Sequence, residues 1–401
     1  MRAVGSRRWS AAVAVLVVLA QLVPAVEAPA QGPPPVGSPC SKMPVRLEAG
    51  ALVPAPYLAA VQFLSDGTGV GFTASDISCS IGPGGGSFEP FPVWEVVTHD
   101  GGQTWRAAGA ELPRSLVPRF SDAAIDFGSV ERGWAEAGGV VAYTSDGGDR
   151  WEVKNLDGTV DALVADGASA AALVVQPRTR STRVWRLSPA GDLTSRTAPA
   201  TAPPDMAYAG GDLAVEPQSQ QVFVAPEAWD AGILTIGWTA GSWSRLNTPC
   251  HGSVQSLLVP PEGGLTLVCG YGASMNKNPK AVMVSSDGGR SWRVLSSWGP
   301  TGPDSSDRSG LPTTDFLDAA FAPSGTYYMA TTLGLASSTD GGRNWVPLDV
   351  AGKGLDLPAN SASGAQFSFA GPAHGWLLLE GEALLRTVDG HRWTAVGPVA
   401  I

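Results

Sequence analysis

The stretch SSDGGRSW occupies Ser285–Trp292 and separates the apolar run AVMV from the short apolar segment RVL. Its acid, paired glycines, arginine and tryptophan are compatible either with a ligand site or with a tight turn. The pattern recurs at Thr98–Trp105, Thr144–Trp151 and Ser338–Trp345, and a contracted copy, TVDGHRW, spans Thr387–Trp393. We call these five segments the aspartate turns.

The tryptophans of the aspartate turns recur at intervals of about fifty residues, which indicates an internal repeat. The interval from Trp151 to Trp292 is close to three such units, so two further repeats are expected between them. Degenerate copies are present there at LSPAGDL (Leu187–Leu193) and GWTAGSW (Gly237–Trp243), where Ala240 stands in place of the aspartate. The chain therefore contains seven units.

Each unit contains four short apolar segments separated by turn residues, such as AQFSFAG, GWLLLE, ALLRTV and WTAVG in the last one. Four-stranded units of this length, repeated radially, are the blades of a β-propeller. The segments do not alternate strictly, as expected when both faces of a blade pack on its neighbours. We predict an all-β chain with a single seven-bladed propeller of four-stranded antiparallel blades over residues 60–401. The predicted blades are 60–109, 120–157, 158–199, 205–249, 253–298, 314–350 and 363–399.

In this fold each aspartate turn is expected to reverse the chain between the third and fourth strands. The aspartate accepts hydrogen bonds from backbone N–H groups, and the glycines supply the positive φ that a tight reversal requires. The tryptophan buries its ring and seeks a carbonyl for its indole N–H. A structural role is therefore favoured over a ligand site for Asp100, Trp105, Asp146, Trp151, Asp287, Trp292, Asp340, Trp345, Asp389 and Trp393.

The S/T-x-D-G-G-x-x-W pattern resembles the Asp-box, or BNR, repeat of the sialidase-like superfamily, which includes sialidases, sortilin-type receptors and xyloglucan-cleaving glycoside hydrolases. The pairs Gly133-Trp134 and Gly375-Trp376 are most similar to propellers of the photosystem II assembly and stability factor type. The resemblance implies the propeller fold. It implies little about function, because the box is structural in all of these proteins.

The first residues are typical of a signal peptide. Arg2, Arg7 and Arg8 precede the apolar run Ala11–Ala20, and small residues follow. We predict a signal peptide over residues 1–30, an uncleaved anchor being the alternative, and a Pro-rich leader over 31–59. Within the leader, MPVRLEA (Met43–Ala49) is a candidate for a strand that closes the ring. The protein is expected to be secreted or extracytoplasmic, in the cell envelope, with no membrane insertion of the mature chain.

The composition limits the classes of partner. A net charge of −10 argues against non-specific binding to nucleic acid and against docking on anionic lipid. The four histidines are dispersed and no CxxC occurs, so neither a metal site nor a cofactor is expected. An even number of cysteines in an exported chain predicts two disulfides. Proximity favours one of the three possible connectivities, Cys40–Cys79 and Cys250–Cys269.

Long insertions are predicted on the face opposite the aspartate turns. They span Ser75–Pro92, Gly270–Lys280 and Ser296–Asp315, with a shorter one at Pro226–Ala231. Long loops gathered on one rim commonly carry binding sites, although they are equally suited to covering the central channel. The residues proposed for a partner-binding surface are Phe88, Phe91, Trp229, Tyr271, Trp298, Asp304 and Asp315.

No set of residues reaches a catalytic assignment. A sialidase needs an arginine triad and a tyrosine nucleophile with a glutamate partner, but the F-R-I-P motif of that family is missing. A xyloglucanase-like hydrolase needs two carboxylates facing each other across a cleft. The leading prediction is an exported, non-catalytic, monomeric scaffold for a protein or carbohydrate partner, and the alternative is an extracellular glycoside hydrolase. Acids available to that alternative are Glu95, Asp304, Asp307, Asp315 and Asp318.

Overall fold

The structure is a computed structural model, and the residues it describes all belong to one compact unit, Pro39–Ile401. The described residues are 48–74, 94–113, 115–116, 123–129, 131–137, 139–166, 169–176, 181–188, 194–197, 211–216, 220–226, 232–237, 242–250, 252–271, 280–298, 309–312, 314–332, 334–351, 364–380 and 382–397.

Thirty strands form seven separate sheets over the described part of the chain, and four consecutive strands of each sheet pair as an antiparallel meander. The predicted all-β, seven-bladed propeller is thereby confirmed. Blade 1 contains β1–β5, at Leu52–Val53, Leu58–Phe63, Gly69–Thr73, Trp94–Thr98 and Trp105–Glu111. Blade 2 contains β6–β9, at Ala123–Ser129, Arg132–Ala137, Val140–Thr144 and Glu152–Lys154. Blade 3 contains β10–β13, at Thr159–Asp166, Ser169–Gln176, Ser181–Leu187 and Thr194–Thr197.

Blade 4 contains β14–β17, at Gly211–Glu216, Gln221–Pro226, Ile233–Gly237 and Ser244–Leu246. Blade 5 contains β18–β21, at Ser253–Leu258, Leu265–Gly270, Lys280–Ser285 and Arg293–Trp298. Blade 6 contains β22–β25, at Phe316–Phe321, Tyr327–Thr331, Gly334–Ser338 and Val346–Pro347. Blade 7 contains β26–β30, at Asp349–Ala351, Ala365–Phe369, Gly375–Leu379, Ala383–Thr387 and Arg392–Val396. The one helical segment among the described residues is a short 3-10 turn at Ala55–Tyr57.

The terminal blades each carry an added outer strand. β1 pairs antiparallel with β5, so Val53 lies opposite Trp105. β26 pairs parallel with β30, and Val350 lies opposite Trp393. Only the last two residues of the segment 43–49 are described, and Ala49 belongs to a turn rather than to a strand. The strand that joins the sheet in this region is therefore β1, a few residues further along the chain.

Strands in the middle of a blade are buried on both faces. Every residue of β19, β23 and β28 is buried. This arrangement explains why the sequence lacks a clean alternation of apolar and polar residues, because each face of a blade is covered by the neighbouring blade.

Apolar packing joins the last blade to the first. Phe63 and Trp105 of blade 1 share one buried cluster with Trp376 and Leu384 of blade 7. The rings of Phe63 and Trp376 stack with centroids 3.8 Å apart. The indole N–H of Trp376 donates to the carbonyl of Gly101 over 2.9 Å. Side-chain packing thus closes the ring.

Polar side chains on the strands β2, β6, β14, β22 and β27 also link neighbouring blades. Each accepts a hydrogen bond from a backbone N–H on the corresponding strand of the next blade, and blade 7 makes this bond to blade 1. We call this set of contacts the inner girdle. With the N–H donor named first and the side-chain acceptor second, the pairs are Phe127 to Gln62, Ala165 to Asp126 (2.9 Å), Leu257 to Asp212 (2.6 Å), Phe367 to Asp318 (2.8 Å) and Val61 to Gln366 (3.0 Å).

The aspartate turns join the last two strands of the antiparallel meander in blades 1, 2, 5, 6 and 7, namely β4 to β5, β8 to β9, β20 to β21, β24 to β25 and β29 to β30. In blade 5 the hydroxyl of Ser285 donates to Asp287 Oδ1 over 2.8 Å and accepts the N–H of Gly289 over 2.7 Å. Asp287 Oδ1 also accepts the N–H of Ser291 over 2.8 Å. Gly288 and Gly289 have φ of 69° and 84°, a region that glycine adopts without strain. The degenerate turns at 189–193 and 238–241 lie outside the described residues.

The tryptophans of these turns contribute large buried surfaces. Trp105, Trp345 and Trp393 are buried. The indole N–H of Trp345 donates to the carbonyl of Gly342, the second glycine of its own turn, over 3.1 Å. Trp151 and Trp292 are partly buried and pack against apolar clusters. Each turn therefore fixes a hairpin at one end of its blade and packs an aromatic ring on or in the core.

Candidate functional site

One end of blade 5 gathers several of the side chains singled out in the sequence. Gly270 at the end of β19 lies opposite Lys280 at the start of β20, and Lys280 lies opposite Trp298 at the end of β21. The aspartate turn of this blade joins the other ends of β20 and β21. The blade edge that contains Tyr271, Lys280, Trp298, Thr314 and Asp315 is called the rim here, and it lies on the face away from the aspartate turns.

Buried Lys280 links blades 5 and 6 beneath the rim. Its side chain is fully buried, and its Nζ donates a hydrogen bond to the carbonyl of Thr314, which precedes β22 of blade 6. Burial lowers the pKa of Lys280 to about 8, and the negative charge of Asp315 acts in the opposite direction. An ammonium group is costly to bury without such partners. This bond ties the start of blade 6 to the third strand of blade 5.

A disulfide lies beneath the other side of the rim. The structure joins Cys250, just before β18, to Cys269 near the end of β19, with Cα atoms 5.8 Å apart. Tyr271 is half-buried and packs against the apolar cluster that contains both cysteines. Burial raises the pKa of the Tyr271 hydroxyl. The rim is thus supported by a covalent link on one side and by buried Lys280 on the other.

The structure describes three of the seven residues predicted for partner binding. Tyr271 is partly exposed and Asp315 is exposed, both at the rim. Trp298 ends β21 at the same edge, although its side chain is outside the described atoms. Cys40 and Cys79, the other predicted disulfide, also lie outside the described residues, as do Phe88, Phe91, Trp229 and Asp304.

Two acids considered for hydrolysis have structural partners. Asp318 accepts the N–H groups of Ala319 and Phe367, both over 2.8 Å, and burial raises its pKa to about 7. Glu95 accepts the indole N–H of Trp151 over 2.9 Å, and its pKa is raised to about 7, mainly by burial. Each carboxyl group holds two blades together, so a raised pKa alone does not make either a catalytic acid.

The described residues contain no group of three or more His, Cys, Asp or Glu side chains placed to hold a metal ion. Within the same part of the chain, no helix has the length and apolar character needed to cross a membrane.

Sequence reasoning did not find the role of Lys280. The residue closes the predicted insertion Gly270–Lys280 and immediately precedes the apolar run AVMV, so the pattern indicates only the end of a polar loop. A lysine at the first position of a buried strand was the available signal, because such a side chain needs an oxygen partner within reach. That partner, the carbonyl of Thr314, is far away in sequence.

Comparison with known proteins supports the architecture. No family model matches the chain, and no curated protein matches it. A structure of YCF48 bound to D1 peptide matches with a TM-score of 0.54 and 20% identity, over 87% of this chain and 99% of that chain. YCF48 from Cyanidioschyzon merolae matches with a TM-score of 0.54 and 15% identity, over 84% of this chain and 98% of that chain.

An ancestral GH74 enzyme also matches, with a TM-score of 0.58 and 11% identity. The match covers 88% of this chain and 47% of the enzyme, so this chain spans about half the length of the enzyme. At these identities the likeness shows the propeller fold alone.

Proposed function

We propose that this chain is a non-catalytic propeller scaffold that binds a protein partner through the rim of blades 5 and 6. The observation that carries the proposal is the construction of the rim. It presents an exposed acid and a partly exposed tyrosine on a joint that a buried lysine and a disulfide make rigid. Rigid support under exposed polar and aromatic groups is the usual design of a binding surface on a repeat scaffold.

The comparisons agree with this proposal in one respect. A protein of the same fold and nearly the same length, YCF48, is bound to D1 peptide in its structure. We extend to this chain the general idea that a single propeller of this kind holds a polypeptide. We further propose that the aspartate turns are Asp-boxes, that residues 1–30 direct export to the cell envelope or medium, and that the mature protein is a monomer.

Hydrolysis of a glycan is the second candidate, and the similarity to the GH74 enzyme is the observation that favours it. This chain spans about half of that enzyme. The carboxyl groups of Asp318 and Glu95 accept hydrogen bonds that join neighbouring blades. Both facts favour a non-catalytic scaffold role over hydrolysis.

The test compares variants of the two faces. Tyr271→Ala and Asp315→Asn alter the rim, and Arg290→Ala alters an exposed residue of the blade 5 aspartate turn. Each purified protein is immobilised and exposed to an envelope extract of the source organism, and the captured polypeptides are quantified by mass spectrometry. We expect the rim variants to capture at least about tenfold less of the same partner, and the Arg290→Ala protein to match the unaltered chain.

Two results would overturn the proposal. One is equal capture by the rim variants and the Arg290→Ala control. The other is turnover of sialyl or β-glucan substrates that disappears in Asp315→Asn, because this would place Asp315 in a catalytic site.

A further inference from the structure

The outer edge of blade 5 is formed by β21, and in the part of the chain that the structure describes β21 pairs with β20 alone. It has six residues, whereas the outer strands of blades 2, 3, 4 and 6 have two to four. Its sequence, RVLSSW, contains a single charged residue, and Val294 is 39% exposed. A long edge strand with little charge is a template for pairing with another chain. Blade 5 therefore has the open edge best suited to a partner strand.

Blade 1 shows how an added strand is held on such an edge. The N–H of Ala107 donates to the carbonyl of Ala51 over 2.9 Å, and the carbonyl of Ala107 accepts the N–H of Gly50 over 2.8 Å. The guanidinium of Arg106, next to the turn tryptophan, donates to the carbonyl of Gly50 over 3.0 Å. The added segment is thus bound through its backbone by one residue of β5 and by the side chain of the residue before it.

The turn tryptophan is buried where such a segment covers it. Each of the three buried turn tryptophans shares an apolar cluster with an aliphatic side chain from outside the four meander strands of its blade. The pairs are Trp105 with Val53, Trp393 with Val350 and Trp345 with Leu311. In blade 5 Trp292 is partly exposed, and its indole N–H donates to the carbonyl of Gly289 over 3.1 Å. The ring therefore offers a fixed apolar surface to an aliphatic side chain.

Blade 5 repeats the register of blade 1 beside this tryptophan. The pairing of β20 with β21 places Arg293 where the pairing of β4 with β5 places Arg106. Val294 likewise takes the position of Ala107. Arg293 is exposed. Because neighbouring residues of an antiparallel strand direct their backbone groups to alternate edges, the N–H and C=O of Val294 are expected to point away from β20, as those of Ala107 point away from β4.

The other open edges lack this combination. In blade 6 the position of Val294 is taken by Pro347, which has no N–H to donate. In blade 2 the position of Arg293 is taken by Glu152, whose carboxylate cannot donate to a carbonyl. In blade 4 it is taken by Ser244, and blade 3 has no turn tryptophan. Among the open edges that the structure describes, blade 5 alone has the tryptophan, the arginine and the N–H together.

We propose that the outer edge of blade 5 binds an extended segment of a partner polypeptide, which adds to β21 as an antiparallel fifth strand. An aliphatic residue of the segment covers Trp292, and backbone groups of the segment bond Val294. Arg293 donates to the carbonyl of a small residue three positions before the aliphatic one, the spacing of Gly50 and Val53 in blade 1. This edge is separate from the rim, so the proposal goes beyond rim binding and does not depend on it.

A second copy of this chain fits the edge less well than an apolar segment does. The antiparallel register that brings Val294 of one copy opposite Trp292 of the other also sets the two Arg293 side chains directly opposite each other. Like charges in that position destabilise strand pairing. A separate polypeptide with an uncharged segment avoids this repulsion.

The binding test uses a fluorescein-labelled synthetic peptide with the sequence of residues 48–55, EAGALVPA, and the full chain. Fluorescence polarisation measures the affinity, and we expect saturable binding. A second peptide carries sarcosine in place of glycine, which removes the N–H expected to bond the carbonyl of Val294. A third carries aspartate in place of valine, which removes the apolar contact with Trp292. Each altered peptide should bind at least about tenfold more weakly than the first.

Two protein variants transfer residue types from sibling blades to the same register. Arg293→Glu introduces the residue of blade 2, and Val294→Pro introduces that of blade 6. Both should fold with a Tm close to that of the unaltered chain and bind the first peptide at least about tenfold more weakly. If Val294→Pro fails to fold, Arg293→Glu and the sarcosine peptide decide the outcome. The matched control is Arg196→Glu, at an exposed arginine on β13, which should leave the affinity unchanged.

Four results would overturn the proposal. The first is the absence of saturable peptide binding, the second is equal affinity for the sarcosine peptide, and the third is unchanged binding by Arg293→Glu. The fourth is a dimer of the unaltered chain in sedimentation that Val294→Pro dissociates, because this would assign the edge to a second copy. Tyr271→Ala alters the rim alone and should keep full peptide binding, so failure at the rim and failure at this edge are distinguishable.

Discussion

Asp340 illustrates how a single carboxylate organises a tight turn. Its Oδ1 accepts the Ser338 hydroxyl over 2.8 Å and the N–H groups of Arg343 and Asn344 over 3.0 and 2.9 Å, while Oδ2 accepts the Asn344 amide over 2.6 Å. Partial burial opposes ionisation, but the hydrogen bonds from Asn344, Ser338 and Arg343 together lower the Asp340 pKa to about 2. The charged form is therefore the one that stabilises the turn.

Replacement of this residue should destabilise the fold modestly. We expect Asp340→Ala to lower the free energy of unfolding by about 1 kcal/mol at neutral pH, because turn N–H donors lose their acceptor at a largely solvated site. Since the folded pKa lies below the unfolded value, the contribution is complete above about pH 4 and is lost toward pH 2. Urea denaturation at neutral and acidic pH measures both effects.

Asp349→Ala, at an exposed acid on β26, is the control for this experiment. Equal stability of the Asp340 and Asp349 variants at neutral pH would contradict the structural role of the turn carboxylate.

Between elements, the joint of blades 1 and 2 depends on one strand and one turn. Glu95 on β4 extends to the aspartate turn of blade 2, where a Cβ added at Gly148 would come within 1.9 Å of its carboxylate. Desolvation raises the Glu95 pKa to about 7, the bond from Trp151 lowers it, and the charges of Asp149 and Asp146 raise it further. The joint is therefore strained by ionisation of Glu95 at higher pH.

Glu95→Gln should remove the destabilisation that ionisation of Glu95 causes at the joint of blades 1 and 2. The amide oxygen can still accept the Trp151 N–H, but the side chain no longer ionises. In the unaltered chain the folded pKa exceeds the unfolded value, so stability falls as pH rises from about 4.5 to about 7. We expect the variant to be more stable at pH 8 by about 1–2 kcal/mol and nearly equal at pH 5. Thermal unfolding at both pH values tests this, and a variant less stable than the unaltered chain at pH 8 would refute it.

At the scale of the whole molecule, the repeat made the ring predictable. The spacing of the turn tryptophans indicated seven units, and the position of each turn between apolar segments indicated the third-to-fourth strand hairpin. Both signals are local and recur along the chain. The inner girdle left no such signal, because Asp126, Asp212 and Asp318 occur in the unlike contexts IDF, GDL and LDA. Their partners lie on the next blade.

The sequence predicted which face carries the rim but not the contacts that hold it, because those contacts join residues of different blades. Loop length placed Tyr271 and Asp315 on one face. The contact that fixes them, between Lys280 and the carbonyl of Thr314, joins residues of different blades and became visible only with the ring assembled.

The inner girdle makes the stability of the whole ring depend on pH. Burial raises the pKa of Asp212 to about 6 and that of Asp318 to about 7, although each accepts two backbone hydrogen bonds that act in the opposite direction. Between the unfolded value of 3.8 and these folded values, the native protein binds more protons than the unfolded chain. Stability must therefore fall as pH rises through this window. The lowered pKa of Lys280, about 8, has the opposite effect, but only above that pH.

We accordingly expect the free energy of unfolding to be higher at pH 5 than at pH 8, with Asp318 alone contributing about 2 kcal/mol. Asp318→Asn should lower stability at pH 5, because an amide offers one acceptor to two N–H groups, and should reduce the difference between the two pH values. Asp349→Asn should leave that difference unchanged. Urea denaturation of the unaltered chain, Asp318→Asn and Asp349→Asn at pH 5 and pH 8 measures the free energy of unfolding and tests this prediction. An undiminished pH dependence in Asp318→Asn would show that the girdle carboxyl group does not keep its proton in the folded ring.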